Sequence, residues 1–560
     1  MNSKLVVKTN QFFAGFVILL FLGLSVRSQS LTVADVQTII AQAVSKAVAL
    51  NQKVTVSVTD KEGHLLGTFA MTGAPANTLI RSVGRSGQGL ENFSVPSSAA
   101  SYSKAGTAGI FSSGGNAFTT RTASFIIQEH FPPGIDNTEG GPLYGVQFST
   151  LPCSDVAIAG LPLGLSGDPG GIPLYKNGVA VGGVGVEGDG LYTVDRDPTD
   201  NDQSNEEIIA VYASTGFESP PLIRADNILV AGIRLPFANV SSPSAVALIP
   251  FGTLPGLITS PIVATPPSDF VPGVINGVNG QFSSRFPIIA GSSLTIAEVT
   301  QILGNAADTA NRARAAIRQP IGSSARVTMS VVDTDGKVLG IFRQTDAPVF
   351  GLDVAVQKAR SVNFFARSDA AAKLNAAGFG SYVTRAAADG LGLNGTIAFS
   401  DRAIGFLHRP LFPDGINNTA AGPFSSLLAD WSPFNNGLQL DLIKAFLTSP
   451  PMVCRAASFQ KRASVVAICP CTAIPEIKNG LQIFAGAVPI YRGSTLIGAV
   501  GVSGDGIEQD DLIAAAGASI FAPAVAIRSD EIFVRGVRLP FLKFPPRPFL
   551  GPVPAVLNKK

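Results

Sequence analysis

Charge is scarce in this chain. Of 560 residues only 14% are Asp, Glu, Lys or Arg, and 41 basic against 39 acidic residues leave a formal net charge of +2. That balance gives no broad field for a polyanion, which argues against nucleic acid as a partner. Side chains that carry chemistry are few as well, with three His, four Cys and one Trp. No Ser-His-Asp or Cys-His arrangement stands out. Zinc is disfavoured because Cys469-Pro470-Cys471 has neither C-x-x-C spacing nor a nearby His. The chain also lacks a long apolar run. Phe12 to Leu24 falls short of the about 20 residues that span a bilayer, and no other segment reaches that length without interruption.

What is abundant is apolar or small. Hydrophobic residues make up 46%, enough for two or more domains with their own cores, and the 59 Gly and 39 Pro are spread as turns rather than in a short period. Lys4 and Lys8 ahead of the Phe12–Leu24 run, with Ser25, Ser28 and Ser30 after it, have the order of a secretory signal over residues 1–30. The mature protein is therefore expected to be extracytoplasmic, periplasmic or secreted, with no integral membrane domain once the signal is removed. In that oxidising setting four cysteines are expected to form disulfides. Cys469 and Cys471 stand too close to bond each other without strain, so separate partners among Cys153 and Cys454 fit better.

The chain repeats itself. Leu31-Thr32-Val33-Ala34-Asp35-Val36 returns as Leu294-Thr295-Ile296-Ala297-Glu298-Val299, each a capping box opening an amphipathic helix. Val54 to Asp60 returns as Val327 to Asp333 with strand periodicity, and Gly63 and Gly336 follow where a hairpin must turn. Ala117 to Thr138 matches Ala398 to Thr419, and Gly182 to Gly190 matches Gly498 to Gly506. Further on, Glu206-Glu207 matches Asp510-Asp511, and Arg234-Leu235-Pro236-Phe237 matches Arg538-Leu539-Pro540-Phe541. The offset between copies changes from block to block, which places insertions in loops of one kept scaffold. The expected domains are 31–240 and 294–545, joined by a Pro/Gly/Ser-rich linker over 241–293 and followed by a tail over 546–560.

These blocks resemble the GlcG/HbpS-like, haem-degrading-type domain family. Copy one offers Asp60-x-x-Gly63-His64-Leu65, Lys104-Ala105-Gly106-Thr107, Gly170-Gly171-Ile172-Pro173 and the Gly182–Gly188 strand. Copy two offers Asp333-x-x-Gly336, Arg343-x-x-Asp346, Lys358-Ala359-Arg360-Ser361 and a strand ending Val502-Ser503-Gly504. Copy one departs with Ala70 and Gly73 where copy two has Arg343 and Asp346, and copy two departs with Ala485-Gly486-Ala487 ahead of Pro489. The resemblance implies an α/β fold of α+β type: two similar domains, each an antiparallel sheet flanked by helices. It also implies members that bind haem or related tetrapyrroles and form oligomers, here as a homo-oligomer or as a pseudo-dimer within one chain.

The cofactor-binding candidates follow from that resemblance and from the need of haem for an apolar slot and an axial donor. Lys104 and Lys358 would pair with a propionate or other carboxylate, with Thr107 and Ser361 hydrogen-bonding nearby; the plain alternative is a snorkelling lysine and a capping hydroxyl. His64, His130 and His408 are the candidate axial donors, each set against a local role in its own turn or segment. Arg343 and Asp346 are expected to form an ion pair fixing a loop. The glycines of the Gly182–Gly190 strand are expected to allow close backbone approach rather than to cradle a phosphate. Asp195 to Asp202 has the oxygens calcium favours, with a solvated acidic loop as the default. Three functions are consistent with these residues: an exported binding module for haem or another planar apolar ligand, an assembly protein that has lost the ligand site, and a small-molecule enzyme such as one degrading haem.

Overall fold

The computed structural model describes residues 29–240, 242–448 and 470–543. The secretory-signal segment 1–30 lies almost wholly outside them, as do the tail 546–560, Cys454 and Cys469.

Domain one opens with α1 (Val33–Ala49), whose capping box forms as expected: Thr32 Oγ1 accepts from Asp35 N at 3.2 Å and Asp35 accepts from Thr32 N at 2.7 Å. The hairpin β1 (Thr55–Asp60) and β2 (Leu65–Met71) follows, turning at Gly63 with φ +89°. A second, smaller hairpin of β3 (Asn77–Ile80) and β4 (Ser94–Pro96) leads into α2 (Ser97–Phe111), and α3 (Thr120–Ile126) comes after it. The domain closes with β5 (Gly171–Lys176), β6 (Val179–Glu187), β7 (Leu191–Tyr192) and α4 (Asn205–Ala213), then the short hairpin β8 (Leu229–Val230) and β9 (Ile233–Arg234).

The segment 241–293 corrects the expectation of an extended linker. It holds β10 (Gly256–Ser260), β11 (Phe270–Ile275) and β12 (Val278–Ser283). β10 pairs with β2 at the edge of the first sheet, whereas β12 joins the second sheet and carries β11 outside it. Edge positions tolerate Pro and Gly, so the composition that suggests a linker is compatible with strands there.

Domain two repeats the plan with α5 (Ile296–Arg312), β13 (Val327–Val332), β14 (Val338–Gln344) and α6 (Gly351–Phe365). It then inserts α7 (Ala370–Ala376) and α8 (Gly380–Ala388) before α9 (Asp401–Leu407) and α10 (Leu438–Thr448). It ends with β15 (Ala487–Arg492), β16 (Thr495–Gly504), α11 (Gln509–Gly517) and the hairpin β17 (Phe533–Val534) and β18 (Val537–Arg538). The sheet orders are β10-β2-β1-β6-β5 and β11-β12-β14-β13-β16-β15, antiparallel throughout.

The copies agree to the residue. Thr55 opposite Ala70 becomes Thr328 opposite Arg343, and Gly171 opposite Gly185 becomes Ala487 opposite Gly501. The irregularity between Val58 and Thr59 recurs between Val331 and Val332, and the one between Leu174 and Tyr175 recurs between Ile490 and Tyr491.

In each domain the opening and closing helices cover one face of the sheet and the central helix, α2 or α6, covers the other. A Cβ at Gly183 or Gly185 would strike the α2 backbone at Ala105 and Ser101, and one at Gly501 would strike α6 at Ala355. The glycine strand therefore serves close helix–strand approach, as the sequence suggests. The two central helices face each other across a shared core: Phe111 at the end of α2 meets Phe350 ahead of α6 edge-on at 4.8 Å.

Polar contacts lock this face. Cys153 bonds Cys471, joining loops 318 residues apart. Asp353, fully buried, accepts from Thr150 N (2.6 Å) and Ser154 Oγ (2.5 Å) of domain one and from Asn479 Nδ2 (2.9 Å) of domain two. Arg343 grips Glu62 of domain one through two bonds of 2.8 and 2.9 Å, with both side chains buried. Burial alone would raise the Glu62 pKa; Arg343 outweighs it and holds the carboxyl below its ordinary value. Arg343→Ala leaves that carboxylate buried without its partner, and urea unfolding should register a loss of about 3–5 kcal/mol. An unchanged midpoint would mean that the pair does not hold the halves together.

Candidate functional site

Because α2 lies so close on β6, Lys104 has no route to solvent. Its Nζ is enclosed by Asp168 (2.7 Å), Glu187 (3.0 Å) and Glu206 (2.6 Å) and donates to Val186 O at 3.0 Å. Each of these residues is buried, and Lys104 itself has no exposed surface. Burial opposes the charged lysine, but the three carboxyls outweigh it and hold its pKa well above the ordinary value. Burial pushes the Asp168 carboxyl well up and that of Glu206 up to about 8, with Lys104 acting against it. Glu206 has other donors in the N–H groups of Gly188 and Asp189. Among the described residues, Asp168 and Glu187 have only the ammonium of Lys104 within ion-pair distance.

Domain two carries a reduced version. Lys358 Nζ donates to Val502 O at 3.0 Å and pairs with Asp510 at 3.2 Å, in the arrangement Lys104 makes with Val186 and Glu206. At the places of Asp168 and Glu187 stand Phe484, its ring 4.3 Å from the ammonium, and Ser503. Asp401 is buried nearby, and burial raises its pKa well above the ordinary value.

The other candidates are held by local structure. Thr107 Oγ1 donates to Ser103 O and accepts from Ser166 N, both at 2.7 Å, and Ser361 Oγ does the same with Gln357 O and Gln482 N, both at 2.8 Å. Each hydroxyl thus pins the loop ahead of the fifth core strand. The lysines neither snorkel nor border an open pocket, which differs from both readings of the sequence; close helix–strand packing is the reason. Arg343 and Asp346 are not each other's partners. Arg343 holds Glu62, whereas Asp346 pairs with Arg318 at 2.8 Å and accepts from Gly114 N at 2.9 Å, so the expected ion pair is corrected to two contacts across the domains.

His64 Nδ1 lies 2.9 Å from Asp60, at the hairpin turn; burial lowers its pKa, but Asp60 outweighs that and raises it. His130 Nδ1 lies 2.9 Å from Thr138 O. His408 Nδ1 lies 2.7 Å from Ile404 O, and full burial among Phe365 and Phe424 lowers its pKa to about 3. The three histidines are in three separate places. In the acidic loop, Asp195 and Asp202 sit 2.6 and 2.8 Å from the guanidinium of Arg121, a buried residue that also holds Glu207 at 2.7 Å. That arginine supplies the positive charge the loop oxygens face.

An opening exists elsewhere, between the two halves. Ile80, Leu90, Phe93, Val95, Gln147, Phe148, Leu163, Leu165 and Tyr192 of domain one and Phe434 and Leu447 of domain two line a narrow recess with a cavity volume of about 20 Å³. Its walls are apolar apart from Gln147 and Tyr192. Gln147 Oε1 has no hydrogen-bond partner among the described residues, and the buried Tyr192 hydroxyl lies beside Ser166. Burial keeps the Tyr192 phenol protonated at neutral pH by pushing its pKa well up. Sequence reading missed this recess because it draws residues from seven segments of both copies. For the Lys104 cluster the one local signal was Glu187, a charge in a glycine strand where copy two has Ser503.

Fold and site together define a tandem pair of α+β domains that share a core and bury a lysine–carboxylate cluster in each half. The family described as haem degrading protein HbpS-like matches residues 31–85 and 455–519, one region in each half. Among solved structures, the chain is similar to a PduOC:heme complex at 21% identity, covering 34% of this chain and 96% of that one, with a TM-score of 0.22. It is also similar to the Klebsiella pneumoniae protein ORFY (21% identity, 38% and 97% covered, TM-score 0.21). A third similarity is to a double mutant of Streptomyces reticuli HbpS (19%, 38% and 97%, TM-score 0.19). No curated protein matches the chain. Among the described residues, no helix is long and apolar enough to cross a membrane.

The carboxyl cluster sets a pH dependence. Unfolded carboxyls titrate near about 4, whereas Glu206 titrates near 8 in the fold and Asp168 is raised as well. The folded state therefore binds more protons in between, and stability must fall as pH rises from about 4.5 to about 8, by an order of 3 kcal/mol. A variant carrying Asp168→Phe and Glu187→Ser, the residues of copy two, should show a flatter profile in urea unfolding across that range.

Proposed function

We propose that this protein is an exported binding protein for a planar apolar ligand of the tetrapyrrole class, haem or its metal-free parent, held in the recess between the halves. The observation that carries this reading is an apolar, aromatic-walled opening between the halves with Gln147 and Tyr192 as its polar groups, the pattern of a small-molecule site. The HbpS-like match supports the ligand class. The Cys153–Cys471 bond supports an oxidising compartment outside the cytoplasm.

The recess is narrower than a tetrapyrrole, so binding requires its walls to part, and the lining then meets the ring by its faces rather than by its metal. No histidine lines it, and Tyr192, neutral at physiological pH, offers an O–H donor rather than a phenolate. Haem, when bound, supplies a redox-active iron. The chain's own part is to stack Phe93, Phe434 and the leucines against the ring and to donate from Tyr192 to a ligand oxygen. Lys104, Lys358, Thr107 and Ser361 stand behind this site as structural groups, and the three histidines take no part.

Haem and protoporphyrin should therefore bind the purified chain with similar affinity, followed by absorbance and by quenching of porphyrin fluorescence. Leu165→Trp, which fills the recess, should abolish both. Tyr192→Phe should weaken both about fivefold, the worth of one net hydrogen bond of about 1 kcal/mol. Haem binding that is indifferent to both substitutions and lost on replacing His64 or His130 would overturn the reading.

A further inference from the structure

The three carboxyls around Lys104 are held in different ways. Glu206, in the first turn of α4, also accepts from the N–H groups of Gly188 and Asp189. Glu187 is fixed by strand register, opposite Thr55 of β1. Asp168 belongs to the loop ahead of β5, and among the described residues its Oδ2 meets only the ammonium, 2.7 Å away. A loop side chain can follow the short approach that a covalent bond demands; a paired strand or a tethered helix turn follows it less readily.

An amine and a carboxylic acid condense to an amide when the acid is neutral, the amine has given up its proton and a third group carries that proton. Contact between the partners supplies the effective concentration that dilute solution lacks. Burial supplies the neutral acid, since it raises the Asp168 pKa well above the ordinary value. Glu206 is the carrier: it lies 2.6 Å from Nζ, and with its pKa pushed up to about 8 it retains a proton at neutral pH. The charged form of Lys104 prevails at any moment. Condensation is needed only once in the life of a chain, so the minor neutral form suffices.

Burial also favours the product. The reaction replaces an ammonium and a carboxylate by uncharged groups where each charge is costly. The one N–H of the new amide is left beside Val186 O, which Nζ already reaches at 3.0 Å.

We propose that Lys104 and Asp168 are joined by an isopeptide bond that the folded chain forms by itself. Glu206 takes a proton from the ammonium, and the amine attacks Asp168 Cγ. Glu206 then protonates the departing hydroxyl, which leaves as water, and takes the surplus proton from the amide nitrogen. One N–C bond forms, one C–O bond breaks, Glu206 ends protonated and no oxidant or cofactor is consumed. The bond staples α2 to the loop that carries Leu163 and Leu165. Domain two forms no such bond, because Phe484 stands where Asp168 would be and Lys358 keeps only Asp510, the counterpart of Glu206.

The test is peptide mapping of the full chain after reduction, alkylation and trypsin. In wild type Lys104 should remain uncut, and 86–121 and 122–176 should appear as one branched species, lighter than their sum by the mass of one water. Lys358 should be cut as usual. Asp168→Asn should form the same link with loss of ammonia in place of water, because the carbon attacked is the same. Lys104→Arg and Asp168→Ala should release their peptides separately at full mass. Glu206→Gln, which keeps the shape and cannot carry the proton, should leave most of the chain unlinked. Wild type with Lys104 cut and every peptide at full mass overturns the proposal, as does a link that survives Asp168→Ala or runs to Glu187 or Glu206. Full linkage in Glu206→Gln overturns the role given to Glu206.

Discussion

In each half the central helix rests on the glycine strand with no side chain between them, and this contact sets what the rest of the molecule can do. Gly183 and Gly185 under α2, and Gly501 under α6, let two backbones meet where any Cβ would strike a carbonyl or an amide. The lysine on the underside of each helix is thereby driven into the interior, where it must find carboxyls. The outer side of the same helix is left to face its counterpart from the other copy. Cluster and domain contact are thus two consequences of one packing decision.

The copies have used this arrangement differently. Domain two satisfies Lys358 with Asp510, a backbone carbonyl and the face of Phe484, whereas domain one surrounds Lys104 with three carboxyls. Domain two in turn contributes Arg343, which reaches across to Glu62, and α6 with Asp353, which gathers donors from both halves. Such contacts belong on one side only, so the pair is no longer symmetric in chemistry although it remains so in strand register. A single chain can specialise its halves in this way, while a homodimer must carry every residue twice.

Much of the fold was legible in the sequence, because capping boxes, strand alternation and hairpin glycines are local signals that recur in both copies. The Thr32 and Thr295 caps, the turns at Gly63 and Gly336 and the role of the glycine strand all follow from residues close in the chain. The segment 241–293 was misread because edge strands share the Pro and Gly content of linkers. The site was far less legible. Lys104 was conspicuous, but its partners Asp168, Glu187 and Glu206 come from a loop, a strand and a helix, and no spacing rule joins them. Arg343 and Asp346 were read as a pair from their nearness in sequence, although each reaches into the other domain. The recess was invisible for the same reason, being assembled from both copies.

The proposed reading sets a tetrapyrrole face-on in a recess between two halves that keep one scaffold, while Lys104 and Lys358 face carboxyls inside it. The most direct test is a crystal structure of the full chain with protoporphyrin bound. The account predicts one ring system against Phe93, Leu165 and Phe434, with Lys104 and Lys358 still enclosed by their carboxyls. A ring found against His64, His130 or His408, or one in each domain beside the lysines, would contradict it.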